Sequence, residues 1–272
     1  MAGDDLSGAW NFRDVAEQTG IRPGRFYRSS ELSRLDDGGR EAMRRLGITD
    51  VADLRSLREV ERRGSGLVPD GVEVHLLPFH ELSNQSPKGA EAPHEYAFER
   101  MMTEAPDDES GEGPAIAAGR FMTEEYRRFP TLAGAHLAVR QVISMLADER
   151  PVITHCFAGK DRTGFTVAVV LEAAGVPRDA ILADFLRSNE AVPQLRDRIL
   201  ESIRNRAGEN TTDEIITFAE ARLTEEVLGV REDYLSAARQ TIDEKYGSLP
   251  NYLDALGVTG DQVSRLRASL LA

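Results

Sequence analysis

One cysteine, one tryptophan and no long apolar run set the first limits on this 272-residue chain. A single cysteine excludes an internal disulfide, so folding makes no demand on an oxidising compartment. No apolar stretch approaches the roughly 20 residues that cross a bilayer. The opening "MAGDDLSGAW" places acids where an export signal needs a basic segment and then an apolar one. The expectation is a soluble chain, cytoplasmic at synthesis, with any secretion following a route other than a conventional signal peptide. Basic residues are also scarce: Lys+Arg number 33 against 46 Asp+Glu, a net charge of −13. A surface this acidic disfavours nucleic acid and should repel phosphorylated ligands unless a local site overrides the global field.

What is present is a change of pattern along the chain. The first 80 residues alternate strand and helix signals. "GRFYRSSEL" and "DVADLRS" read as strands, with "REAMRRLG" a helix between them that stops at Gly47. "VEVHLLPF" (72–79) reads as a strand entering the interior of a sheet. Across 81–119 the periodicity fails, and the acidic, Gly/Ser/Pro-rich "EAPDDESGEGP" predicts a mobile loop. Helix follows from about Arg120 to Ala147, interrupted near Pro130, then the short strand "PVITHC" and the apolar helix "RTGFTVAVVLEAAG". Beyond that the chain reads as helix only. "REDYLSAARQTIDEKYG" ends at Gly247, and "TGDQVSRLRASLL" opens with a capping box, Thr259 with Gln262. No linker divides two cores, so residues 1–272 are expected to form one α/β domain with a helical C-terminal part.

The lone cysteine sits where strand, glycine loop and helix meet: "HCFAGKDRTG", His155 to Gly164. That arrangement makes an anion site before any side chain is considered. The first turn of the helix has backbone N–H groups without intrahelical partners, and the dipole adds about half a positive charge. Loop amides from Phe157, Ala158, Gly159, Lys160 and Asp161 can form a nest around a tetrahedral oxyanion, with Cys156 at its floor. Arg162, at the rim, can grip two phosphoryl oxygens with parallel hydrogen bonds, which lysine cannot do. Gly159 permits close backbone approach to a ligand, and Gly164 close packing of the helix on the sheet. Helix N-termini and cations favour a thiolate, so Cys156 is expected to be a nucleophile rather than an inert core residue. Thr163 offers a hydroxyl to ease the sulfur's departure, and His155 is expected to orient the loop. His, Cys, Gly, Arg, Ser/Thr and Gly at these offsets have a chance expectation of about 10⁻⁵ at average residue usage. The "GKD" is not a nucleotide P-loop, because Asp161 stands where Ser or Thr is needed.

"HCFAGKDRTG" resembles the signature of the cysteine-dependent protein tyrosine phosphatases. It is closest to the bacterial subgroup, of the mycobacterial B type, whose loop also holds lysine and aspartate. "NFRD" (11–14), "GRFYRSSELSRL", "GITDVADLRS" and "YGSLPNYL" (246–253) are similar to further stretches of that subgroup. The resemblance implies a phosphatase-type α/β sandwich, with a mostly parallel sheet flanked by helices. It implies hydrolysis of phosphotyrosine, extending to phosphoserine, phosphothreonine and phosphoinositides, through a phosphocysteine and with no metal or other cofactor. It favours Asp161 as the acid that protonates the leaving oxygen, with Glu81 in "PFHEL" as runner-up. Asp53 is expected to be a structural partner of Arg55 or Arg13. Lys160 has two readings, a solvated surface charge or a second cation above the cradle suited to multiply phosphorylated head groups. The partners implied are phosphorylated proteins or phosphoinositide head groups, with transient contact at a membrane surface. A competing class is a phosphate reader that keeps the cradle and lacks turnover.

Residues 188–229 exceed what a compact phosphatase core needs. Two amphipathic helices are expected there, with stripes of Leu195, Ile199, Leu200, Ile203 and of Ile216, Ala219, Leu223, Val227. By the resemblance they form a two-helix lid over the loop. The bland alternative is a permanent extra layer.

Overall fold

The computed structural model describes residues 6–80, 114–207, 220 and 223–271. Five short strands form one sheet: β1 (Arg13–Asp14), β2 (Phe26–Ser29), β3 (Asp50–Asp53), β4 (Glu73–Leu76) and β5 (Val152–His155). Their order is β1-β2-β5-β3-β4, with β1 antiparallel to β2 and every other pairing parallel. The strand that ends at the cysteine is therefore central. Its neighbours are in register on both sides, with His155 opposite Ser29 of β2 and Asp53 of β3.

Strand alternation sorts the buried side chains onto two faces. Phe26, Ala52 and Val152 join the larger apolar core, while Tyr27, Val51 and Ile153 join a smaller one with Leu35 and Met43. The smaller core is covered by α2 (Asp37–Arg45), whose N-cap Asp36 accepts from the Gly39 amide. The larger is covered by α5 (Ala133–Ala147), α6 (Asp161–Ala174), α10 (Glu232–Tyr246) and α12 (Gly260–Leu270). The capping box of Thr259 and Gln262 is formed as the sequence indicates. Between β3 and β4 lies α3 (Leu57–Arg63), started by a second capping box, Ser56 with Glu59. This helix, and the two-residue β1, are absent from the sequence reading.

Three expectations need correction. Helix α4 (Pro114–Arg128) begins inside the segment read as a loop to Gly119. Proline at the first helical position is a start signal, since its missing N–H is one that no intrahelical acceptor needs. Residues 81–113 of that segment lie outside the described residues, Glu81 among them. Strand β4 is a sheet edge with Glu73 and Val74 exposed, not an interior strand. Lastly, the helix read through Val227 is broken. Leu223 and Thr224 are non-helical, and Thr224, extended at φ −73° and ψ 161°, precedes a new short helix α9 (Glu225–Leu228). Thr followed by two glutamates is itself a helix-start pattern. Ile216 and Ala219, half of the expected stripe, lie outside the described residues.

Candidate active site

The loop between β5 and α6 spans Cys156 to Lys160, and Lys160 is the N-cap of α6. Cys156 is almost fully buried at its floor. The decisive feature is what happens to the loop carbonyls. That of Cys156 lies 3.2 Å from His155 Nδ1, a contact that requires the proton on Nδ1. That of Phe157 accepts from the Glu31 amide at 3.0 Å, and that of Ala158 from Asn11 Nδ2 at 2.9 Å. Gly159 O accepts from Arg28 Nη2 at 2.8 Å, and Lys160 O from the Gly164 amide at 2.9 Å. Each carbonyl is thus engaged by the surrounding protein. Carbonyls drawn outward leave the loop amides to face the space over the sulfur.

Three of these donors, Asn11, Arg28 and the Glu31 amide, come from the two amino-terminal motifs, and the two side chains among them are themselves fixed. Arg28, fully buried, and Arg13 grip opposite oxygens of Asp184 at 2.6 and 2.7 Å. Asp184 belongs to α7 (Arg178–Leu186). Burial works against ionising Asp184, but Arg28 and Arg13 outweigh it and hold its carboxyl below the ordinary range. Asn11 Oδ1 in turn accepts from Arg13 Nη1 at 2.7 Å, which sets the amide of Asn11 toward the loop. Gly159 has φ +66°, and a Cβ there would lie 2.1 Å from the Ser29 carbonyl of β2. The close approach it permits is thus to the sheet. Gly164 packs against the Phe185 ring, which a Cβ would meet at 2.7 Å, rather than against the sheet.

Arg162 is nearly buried and forms a bidentate pair with Glu59 of α3, Nη1 to Oε2 at 2.7 Å and Nη2 to Oε1 at 2.8 Å. Burial pulls this guanidinium down, and Glu59, then the Cys156 sulfur, more than reverse it, so its pKa stands above the ordinary value. Its hydrogen bonds among the described residues all use Nη1 and Nη2, none Nε. Glu59 Oε2 also accepts from the Ser56 amide at 2.7 Å, so the helix cap and the arginine clamp share one carboxylate.

Asp161 sits half-exposed in the first turn of α6, with Oδ1 accepting from the Tyr126 hydroxyl at 3.0 Å and Oδ2 at 3.2 Å from Lys160 Nζ. Burial, then Asp161, push the Tyr126 phenol well above its ordinary pKa, so it stays a donor. Lys160 is buried rather than solvated, its ammonium on the carbonyls of Val227 and Gly229 at 2.6 and 3.1 Å. Thr163 Oγ1 is buried without a partner among the described residues. Asp53 pairs with Arg55 at 2.7 Å, and its Oδ2 lies 3.7 Å from His155 Nε2. Arg13, the other partner expected of Asp53, goes to Asp184 instead. Burial, only partly opposed by Asp53, lowers the His155 pKa.

Over the loop lies α8 (Val192–Ala207). Leu195, Ile199 and Leu200 form one apolar cluster with Ala158 of the loop and with Leu223 and Leu228; Phe157, Trp10 and Ile203 pack at its margin. Phe157 is also held edge-on by Trp10 and face-on by Arg63, whose guanidinium carbon lies 3.9 Å from the ring centre.

Sequence reasoning missed Glu59, Tyr126 and Asp184, which hold Arg162, Asp161 and the two arginines. The one signal available was the Ser56–Glu59 capping box, and it points to the helix start rather than to an arginine 103 residues away.

A family profile described as the tyrosine phosphatase family matches residues 4–272. The chain is 59% identical over 276 residues to the triple specificity protein phosphatase PtpB of Mycobacterium tuberculosis, covering all of both chains. It is 30% identical over 275 residues to a protein of Cupriavidus necator whose name places it among tyrosine-protein phosphatases, covering all of this chain and 88% of that one. The chain belongs to the tyrosine phosphatase family.

Proposed function

We propose that this phosphatase hydrolyses phosphotyrosine, phosphoserine and phosphothreonine in proteins, and phosphoinositide head groups, through a phosphocysteine on Cys156. The observation that carries the mechanism is the outward engagement of the carbonyls from Cys156 to Lys160. It leaves the amides of Phe157 to Arg162 to surround three phosphoryl oxygens, with the thiolate below them in line with the leaving group. Arg162, fixed by Glu59, binds the same oxygens and follows them into the transition state. Cys156 attacks phosphorus, the bond to the ester oxygen breaks, and Asp161 delivers a proton to that oxygen. Water then cleaves the phosphorus–sulfur bond, with Asp161 taking its proton and Thr163 donating to the departing sulfur. The breadth of substrates is supported by the name of the M. tuberculosis relative, triple specificity protein phosphatase.

The apolar cluster over the loop supports a lid built on α8. A thiolate with no second cysteine to form a protective disulfide is open to irreversible oxidation, and a closed roof would shield it. Replacing both Leu195 and Ile199 by Ser should speed inactivation by peroxide. Unchanged sensitivity in a folded variant would leave α8 as a fixed structural layer. The function itself is tested by kcat/KM on phosphotyrosine, phosphoserine and phosphoinositide substrates, with Cys156→Ser as control. Turnover should appear on all three and vanish in the variant while phosphate still binds. A protein that binds phosphate and turns over nothing would be a reader, the competing class.

A further inference from the structure

We propose that the Lys160 side chain is a positioning residue rather than a substrate ligand: it couples the acid Asp161 to the chain segment that closes the roof at 227–229. An ammonium has three donors and no acceptor. Here it donates to Val227 O at 2.6 Å and Gly229 O at 3.1 Å, and its charge pairs with Asp161 Oδ2 at 3.2 Å. The lysine is 5% exposed, so it has no water shell to fall back on. A buried ammonium stripped of these acceptors would be left uncompensated. A phosphoryl group could recruit it only by breaking that set.

The receiving segment is organised for this contact. Tyr234 donates to Glu226 O at 3.0 Å, and Asn189 donates to Val230 O at 3.0 Å while accepting from the Val230 amide at 2.7 Å. The carbonyls of Val227 and Gly229 fall between these two fixed points. Leu228, fully buried between them, belongs to the apolar cluster that holds Ala158. One short stretch thus holds Lys160 through two carbonyls and shares an apolar cluster with Ala158 through Leu228. On the other side of Asp161, Tyr126 fixes Oδ1 at 3.0 Å. With Lys160 on Oδ2, the carboxyl is restrained at both oxygens, so loss of the lysine should let it rotate about Tyr126.

The inference rests on the reading of Asp161 as the acid. The test compares wild type, Lys160→Met, Lys160→Arg and Asp161→Asn on an aryl phosphate with a good leaving group and on an alkyl phosphate. Inorganic phosphate as competitive inhibitor reports binding. Lys160→Met should lower kcat on the alkyl ester by about 10-fold or more and on the aryl ester by less than about 3-fold, since only the former needs full protonation. Its phosphate inhibition constant should stay within about 2-fold, and KM should move little. Lys160→Arg, which keeps donors for the carbonyls, should recover part of the loss. Amide exchange at 223–230 should be faster in Lys160→Met than in wild type. In wild type itself, saturating phosphate should leave that exchange unchanged or slower, a reading that does not depend on any variant folding. Phosphate binding weakened 10-fold or more in Lys160→Met, or faster exchange at 223–230 when wild type binds phosphate, would show the lysine serving the ligand and overturn the proposal. If Asp161→Asn depresses alkyl turnover and Lys160→Met does not, the coupling fails while the acid assignment stands. If neither does, both fail.

Discussion

The floor and the roof of this site are held by different physics. On the floor, every carbonyl from Cys156 to Lys160 meets a specific donor. Arg28, and Asn11 through Arg13, are held by the buried carboxylate of Asp184, and Arg162 separately by that of Glu59. Across the roof, Leu195, Ile199, Leu200, Leu223 and Leu228 make non-directional apolar contact, and Lys160 supplies the polar tie. Directional bonds in a buried setting fix positions to fractions of an ångström, and a lost partner is costly. Apolar contact tolerates sliding, so on the roof only the Lys160 tie is directional. The residues proposed for the chemistry thus sit on the directionally bonded surface, and the proposed lid on the apolar one.

Changes on the floor should therefore be severe and those on the roof mild. Arg162→Ala should lower kcat/KM on an aryl phosphate by about 10³-fold or more and weaken inhibition by phosphate, because one fixed donor to the transition state is worth about 10²–10³. A loss under 10-fold would mean the loop amides suffice alone.

Next in size is Asp184→Asn, which leaves Arg13 and Arg28 without their carboxylate. Breaking a buried pair costs about 3–5 kcal/mol, read as a lower urea midpoint with an unchanged slope. The pH dependence follows from the direction of the shift. The Asp184 pKa is depressed in the folded chain, so its contribution is complete above the ordinary value of about 4. It is lost as pH falls below that, through the folded pKa. Wild-type stability should drop across this window, and the Asn variant should drop less. His155, lowered by burial, adds an earlier decline. Its contribution is complete above about pH 6.5 and diminishes below, where the unfolded chain takes up the proton first.

A smaller floor effect is expected for Asn11→Ala, which removes the donor to Ala158 O. The cost should be about 1 kcal/mol in stability, with a fall in kcat at nearly constant KM as the loop amides lose their aim. The mildest change is on the roof. Ile199→Val should cost about 0.5–1.5 kcal/mol at most and leave kcat on a small aryl phosphate within about 2-fold. A roof variant as damaging to kcat as Asn11→Ala would erase the distinction between the two surfaces.

What could be read from the sequence follows the same division. The strand, glycine loop and helix around Cys156 are local in sequence, so spacing alone locates the loop that holds Cys156, its amides and Arg162. The parallel sheet follows from alternation of short β-branched runs with helices. The supports for the site are not local. Glu59 lies in "LREVERR", a charged stretch to which the sequence reading assigns no element, and Asp184 lies in "ADFLRS", 171 residues from Arg13. Tyr126 is an ordinary aromatic in an amphipathic helix until the fold brings it to Asp161. Long-range ion pairs have no spacing rule, and they are what determines whether an arginine or an acid is free to act. Lys160 shows the same limit: the sequence leaves a solvated charge and a second cation over the cradle as alternatives, and only the fold shows the side chain buried against the carbonyls of Val227 and Gly229.

The most direct measurement is rapid acid quench of the enzyme during turnover of an aryl phosphate, followed by peptide mass analysis. A phosphoryl adduct should appear on the peptide containing Cys156, form as fast as the aryl product is released, and be absent from Cys156→Ser. Persistent turnover with no adduct on Cys156, or turnover retained in Cys156→Ser, would contradict the proposed covalent mechanism.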